Sequence, residues 1–139
     1  MKNTALITGS SKGIGRELSL LLLQKGYTVF GYSRTNSIEH KNFHFNRIDL
    51  TKVNDLDSVR FPQVKKDEHI CLINNAGEIG EIEKFGNKKT NDVINEFNIN
   101  IVAPSILCNT FLKNYRDRSN AVVIMNISSG AALRPIQSW

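Results

Sequence analysis

Thr8-Gly9-Ser10-Ser11-Lys12-Gly13-Ile14-Gly15 is the stretch on which the fold turns. Immediately before it, Thr4 to Thr8 reads as a short buried strand. Immediately after it, Ile14, Leu18, Leu21 and Leu22 fall at helical spacing across Ile14 to Lys25, with Gly26 as the stop. The glycines therefore lie between a strand and the first turn of a helix. There the unpaired N–H groups and the helix dipole favour an anion such as a pyrophosphate. Gly9 is expected to allow the tight turn, Gly13 to let the backbone approach phosphate, and Gly15 to let the helix sit close to the strand. For the loop taken alone, a plain strand–helix turn with incidental glycines is the competing reading.

Outward from the loop, apolar runs alternate with amphipathic stretches, the pattern of strand–helix–strand units on a parallel sheet. Tyr27–Tyr32 and Phe43–Ile48 read as the second and third strands, His69–Ile73 as the fourth, and Ala121–Ile127 as the fifth. A short helix is expected over Val53–Val59, ending near Phe61-Pro62. Asn91–Leu112 reads as one long helix that Pro104 should kink or crowd. With 139 residues, 40% of them apolar, one domain spanning 1–139 is expected. There are no repeats and no low-complexity tracts.

The net charge of +5 comes from scattered lysines and arginines, with only the pairs Lys65-Lys66 and Lys88-Lys89 adjacent and no aromatic-interleaved basic stripe. Nucleic acid is therefore not the expected partner. Cys71 and Cys108 stand far apart without metal-ligand spacing, so neither a disulfide framework nor a metal site is expected. No long apolar segment follows the N-terminus, and Leu18–Leu23 falls short of the roughly 20 residues a membrane span needs. A soluble cytoplasmic protein with no membrane partner is the expectation.

Further motifs follow in order. Asp49-Leu50 stands just past the third strand, Asn74-Asn75-Ala76-Gly77 after the fourth, and Asn126-Ile127-Ser128-Ser129-Gly130 after the fifth. With the Gly-x-x-x-Gly-x-Gly spacing of the loop (Gly9, Ser11, Lys12, Gly13, Ile14 and Gly15), these resemble the short-chain dehydrogenase/reductase family over essentially the whole chain. Leu72–Gly80 and Asn126–Trp139 resemble its sepiapterin and benzil reductase branch in particular. The resemblance implies an α/β, doubly wound, Rossmann-like parallel sheet in the order 3-2-1-4-5, with the cofactor at the carboxyl ends of the strands. It makes Asp49-Leu50 an adenine-contacting pair, and gives Asn74, Asn75, Ala76 and Gly77 the tasks of stabilising the sheet and lining the cofactor. Taken singly, Asp49 is equally a turn or cap residue, and the asparagine run is ordinary turn chemistry.

An acid after the second strand would bind the ribose hydroxyls of NAD. In Gly31-Tyr32-Ser33-Arg34-Thr35 that acid is replaced by Ser33, and Arg34 offers a planar cation to a 2′-phosphate, with Lys12 within reach of the same group. NADP(H) is the expected cofactor, against the alternative of two solvated surface cations.

Reducing a carbonyl by hydride builds negative charge on oxygen, so a hydrogen-bond donor and a proton source are required. The resemblance assigns the donor to Ser129, and to Asn100 a water on the proton path. Read without it, Asn100 is a helix residue bonding locally and the serines are turn formers. The family's proton source is the tyrosine of a Tyr-x-x-x-Lys pair. Four residues after Tyr27, Tyr32 and Tyr115 stand Gly31, Asn36 and Ser119, so that pair is absent. In family members the tyrosine follows the serine at a distance that places it just past Trp139. The expectation is thus the N-terminal segment of an NADPH-dependent carbonyl reductase, truncated after the fifth strand, incomplete at its C-terminus and homo-oligomeric when intact. The alternatives are a non-catalytic NADP(H)-binding remnant, and a self-associating interaction module that uses the long helix and the edge at Ala121–Ile127.

Overall fold

Each apolar run of the sequence becomes a strand of one parallel sheet. The computed structural model describes residues 3–84, 86–118 and 121–133. Among them β1 (Asn3–Thr8), β2 (Thr28–Ser33), β3 (Phe43–Arg47), β4 (His69–Asn74) and β5 (Val122–Asn126) pair in the order β3-β2-β1-β4-β5. Every pairing is parallel. The order is the expected one, and it reverses direction between β1 and β4, so a crevice opens at the carboxyl ends of those two strands.

Ala5, Leu6 and Ile7 are wholly buried because β1 is covered on both faces. On one face, Ala5, Ile7, Val29 and Ile73 meet Leu23 of helix α1 (Gly13–Gln24) and Ile38. On the other, Leu6, Tyr32 and Leu72 meet Leu107, Phe111 and Tyr115 of helix α4 (Ala103–Tyr115). Phe61 stands edge-on to both Tyr32 and Phe111. Burying Phe111 alone contributes about 1.5–3 kcal/mol. α1 stops where the sequence says it should: Gly26 takes φ +82°, Tyr27 N–H bonds the Leu22 carbonyl and Gly26 N–H the Leu23 carbonyl.

Two helices depart from expectation. The helix expected over Val53–Val59 is a single turn, α2 (Val53–Leu56). Beyond it the bonds tighten, Ser58 N–H reaching the Asp55 carbonyl and Val59 N–H the Leu56 carbonyl, while the Arg60 guanidinium takes the carbonyls of Asp57 and Val59. The long helix runs further than Asn91–Leu112 and has three parts: α3 (Thr90–Phe97), a π turn (Asn98–Val102), and α4. Its irregularity lies before Pro104 rather than at it. Proline has no N–H to donate and its ring crowds the preceding carbonyls, so the helix widens by one residue, Ala103 N–H bonding Asn98 O. No residue of α3 is buried, and on edge strand β5 the side chains of Val123 and Met125 are 45% and 48% exposed.

Tyr32 and Tyr115 pin the irregular segment after α2, their hydroxyls donating to the carbonyls of Arg60 (3.2 Å) and Pro62 (2.6 Å). Burial pushes the Tyr115 phenol up to about 12, with the Arg118 cation pulling the other way, and burial raises Tyr32 further still. A phenol that holds its proton more tightly when folded stabilises the fold fully below its ordinary value of 10.0 and less as pH climbs past it. The urea midpoint is therefore expected to fall between about pH 9 and about pH 11, and Tyr115→Phe to make that fall shallower. An equal slope in the variant contradicts this account.

Candidate functional site

The glycine loop is held in place by β4. Thr8 is buried, and its Oγ1 accepts hydrogen bonds from the backbone N–H groups of Asn75 and Ala76, each at 3.0 Å. In return, Asn75 Nδ2 donates to the carbonyls of Thr8 (3.0 Å) and Gly9 (3.3 Å). Gly9 turns at φ +69°, with Ala76 Cα and Asn75 Nδ2 3.0 Å from where a Cβ would stand. A Cβ on Gly15 would strike the Gly9 carbonyl and the same Asn75 amide, so Gly15 is the residue that lets α1 close onto the loop. Gly13 differs, for at φ +57° nothing lies within 4 Å of its would-be Cβ and the backbone faces open space. The first turn of α1 contains no acidic residue, so its amino end is electrostatically open to an anion.

Two neighbouring cavities open here. The smaller, about 350 Å³, is lined by Gly9, Ser11, Lys12, Gly13 and Ile14 of the loop, by Ser33 and Arg34 after β2, by Asp49 and Leu50 after β3, and by Asn75, Ala76 and Gly77 after β4. Tyr32, Ile48 and Ile99 complete it. Ile99 comes from the π turn, a contribution no linear motif announces. Ser33 Oγ donates to the Thr35 carbonyl (2.8 Å) and lies 3.3 Å from the hydroxyl of buried Ser10, which links β2 to the loop. Ser37 Oγ bonds the Ser11 carbonyl from the far side.

Asp49 Oδ1 accepts from the Thr51 N–H (3.1 Å) and hydroxyl (2.8 Å). Partial burial works to raise the Asp49 pKa, but those two bonds and the cations Arg34 and Lys52 outweigh it and hold the carboxyl below its usual range. Asp49 is thus a turn anchor as well as a cavity residue. Asn98 Nδ2 bonds the Thr51 carbonyl at 2.9 Å and ties that turn to the π turn.

The larger cavity, about 810 Å³, shares Ile14, Asn75, Ala76 and Gly77 with the first. Its lining includes both Asn100 and Ser129, along with Asn74, Cys108 and Asn126. Asn100 does not bond locally: its Nδ2 donates to the Glu78 carbonyl (2.6 Å) and its Oδ1 accepts from the Glu78 N–H (2.9 Å). Ser129 caps the turn Gly130–Ala132, accepting from Ala131 N–H at 3.2 Å. Asn74 Nδ2 joins Asn126 Oδ1 (2.8 Å) and Cys108 Sγ (3.3 Å), fixing the ends of β4 and β5 against α4. Cys71 and Cys108 are unbridged. Among the described residues, no cluster has the makings of a metal site and no helix is long and apolar enough to cross a membrane. Arg134 to Trp139, whose sequence contributed to the resemblance, lie outside the described residues.

Thr8→Val keeps the shape but leaves the part-buried N–H groups of Asn75 and Ala76 without their partner, an expected cost of about 1–3 kcal/mol. Chemical denaturation checks it, and a loss below about 1 kcal/mol means that water replaces the hydroxyl.

The chain also has relatives. A benzil reductase ((S)-benzoin forming) of Bacillus subtilis is 32% identical, the match covering 96% of this chain and 58% of that protein. A sepiapterin reductase of Xenopus tropicalis is 32% identical, covering 96% and 60%. The chain thus spans less than two thirds of the length of these curated relatives. Among solved structures, a short-chain dehydrogenase/reductase from Burkholderia vietnamiensis superposes with a TM-score of 0.86 at 22% identity, covering 99% of this chain and 68% of that one. ElxO with NADP bound superposes at 0.78 with 27% identity, covering 98% and 59%. The short chain dehydrogenase family model matches residues 3–139, and with the sheet order and the glycine loop this places the chain in the short-chain dehydrogenase family of oxidoreductases.

Proposed function

We propose that this chain is the cofactor-binding portion of a cytoplasmic NADPH-dependent carbonyl reductase acting on a small ketone or aldehyde. The observation that carries the reading is the pair of cavities: one walled by the glycine loop, the other by Asn100 and Ser129, with Ile14 and Asn75–Gly77 common to both. A dinucleotide suits them, because open space lies over Gly13 at the amino end of α1 and the cations Lys12 and Arg34 are both among the residues that line the smaller cavity. The loop N–H groups hold the pyrophosphate, Lys12 and Arg34 the 2′-phosphate, and Asp49 and Leu50 border the adenine. Bound there, the cofactor supplies the hydride. Ser129 offers its hydroxyl to the substrate carbonyl, and Asn100, with its amide fixed by Glu78, carries the water that relays a proton.

The proton donor is not among the tyrosines of this sequence. Tyr32 and Tyr115 spend their hydroxyls on the carbonyls of Arg60 and Pro62, and Tyr27 precedes β2, at the amino ends of the strands and away from both cavities. The 139 residues alone are expected to bind NADPH more tightly than NADH and to oxidise neither with a carbonyl substrate. Arg34→Asp is expected to remove that preference, by about 10-fold or more in the ratio of dissociation constants read by fluorescence titration. An unchanged ratio sinks the phosphate role.

A second reading, self-association, is favoured by the apolar side chains left in water on the long helix, Phe97 at 58% and Ile101 at 53%, and by Val123 and Met125 on β5. It predicts a sizing-column mass that grows with concentration; a constant monomer mass refutes it.

A further inference from the structure

The loop that follows β4 forms one wall of the larger cavity through Glu78 and Ile79, and it is fastened to the long helix at two points one helical turn apart. At Asn100, both ends of the side-chain amide are taken by the backbone of Glu78. At Glu96, the carboxylate receives the Lys88 ammonium at 2.5 Å, and the same ammonium lies 3.4 Å from the Ile79 carbonyl. These two side chains are only 16% and 19% exposed, so the pair is largely withdrawn from water and each charge depends on the other. Gly80 lies between the two points. It takes φ +64°, and the Glu96 carboxylate occupies the place where a Cβ would project, so only a bare backbone passes beneath the ion pair.

We propose that Glu96 and Lys88 are positioning residues: their ion pair clasps the Glu78–Gly80 segment to the helix and thereby fixes Asn100 and the cavity wall, although neither residue lines that cavity. Residues 96 and 100 stand on the same side of the helix, so the clasp and the asparagine share one rigid support. Glu78 and Ile79 are stretched between that clasp and the Asn100 amide. Releasing the clasp lets the Ile79 carbonyl move, and with it the peptide that orients Asn100. The functional consequence rests on the dinucleotide reading given above: with the 2′-phosphate and adenine held in the smaller cavity, the nicotinamide end would reach the larger one.

The test uses the 139-residue chain with Glu96→Gln and, separately, Lys88→Met, each titrated with NADPH and with adenosine 2′,5′-bisphosphate, which reaches only the smaller cavity. The expected result is a loss of roughly fivefold or more in NADPH affinity, the low end of ordinary coupling between sites, with bisphosphate affinity unchanged. The exchanged pair, Glu96→Lys with Lys88→Glu, is expected to recover part of the loss. Equal losses for both ligands, or no loss for either, overturn the clasp. Failure of the unaltered chain to bind either ligand overturns the dinucleotide reading instead. The clasp is then decided by hydrogen exchange, which must accelerate at the Glu78 amide in Glu96→Gln while the amides of β1 keep their protection. Unchanged protection at Glu78 overturns it.

Discussion

The junction between Thr8 and Asn75 is the interaction on which the rest of the site depends. A parallel sheet with a strand-order reversal leaves a gap between the carboxyl ends of β1 and β4, and four hydrogen bonds span it here, two into Thr8 Oγ1 and two out of Asn75 Nδ2. Those bonds satisfy the chain where it leaves the two strands, at a place with no further strand to do so. They also set the height of the glycine loop over the sheet. Gly9 and Gly15 are required because the Asn75 amide stands against both. Loop, helix start and β4 end thus form one rigid corner, with the backbone of Gly13 as its open side.

The long helix is the second organiser. It serves two regions at once, burying Leu107, Phe111 and Tyr115 against the sheet while presenting Ile99 and Asn100 to the two cavities. A regular helix with Pro104 in its interior would lose a hydrogen bond and crowd its own carbonyls. The π turn relieves this just ahead of the proline and falls on the residues that face the cavities, a common association in helices that carry functional side chains. From this segment Asn98 reaches Thr51 and Asn100 reaches Glu78, so it ties down the turn after β3 on one side and the loop after β4 on the other.

Much of this was legible in the residues, for local reasons. Strand and helix boundaries around the glycine loop follow from apolar periodicity and from Gly26, whose left-handed backbone ends α1 as expected. Periodicity alone implies a helix over Val53–Val59, but the structure stops it at Leu56 because the following carbonyls are taken by Arg60 and the tyrosines draw the next segment onto the core. Thr8 closes the first strand and opens the glycine loop, and nothing in a threonine at a strand end reveals that its hydroxyl accepts the N–H groups of Asn75 and Ala76, just past a strand far along the chain. The bonds between Asn100 and Glu78, 22 residues apart, were invisible for the same reason.

The sequence by itself determined the class of the fold, the order of the elements and the place where an anion would sit. Those depend on periodicity, on glycine's access to left-handed backbone and on the amino end of a helix, all properties of neighbouring residues. Tertiary structure alone decided that Ile99 joins the glycine-loop cavity, that Asn100 and Ser129 face one space, and that Glu96 and Lys88 meet over Gly80. Each of these needs segments far apart in the chain to be brought within a few ångströms by the sheet, and no pattern along the chain encodes that distance.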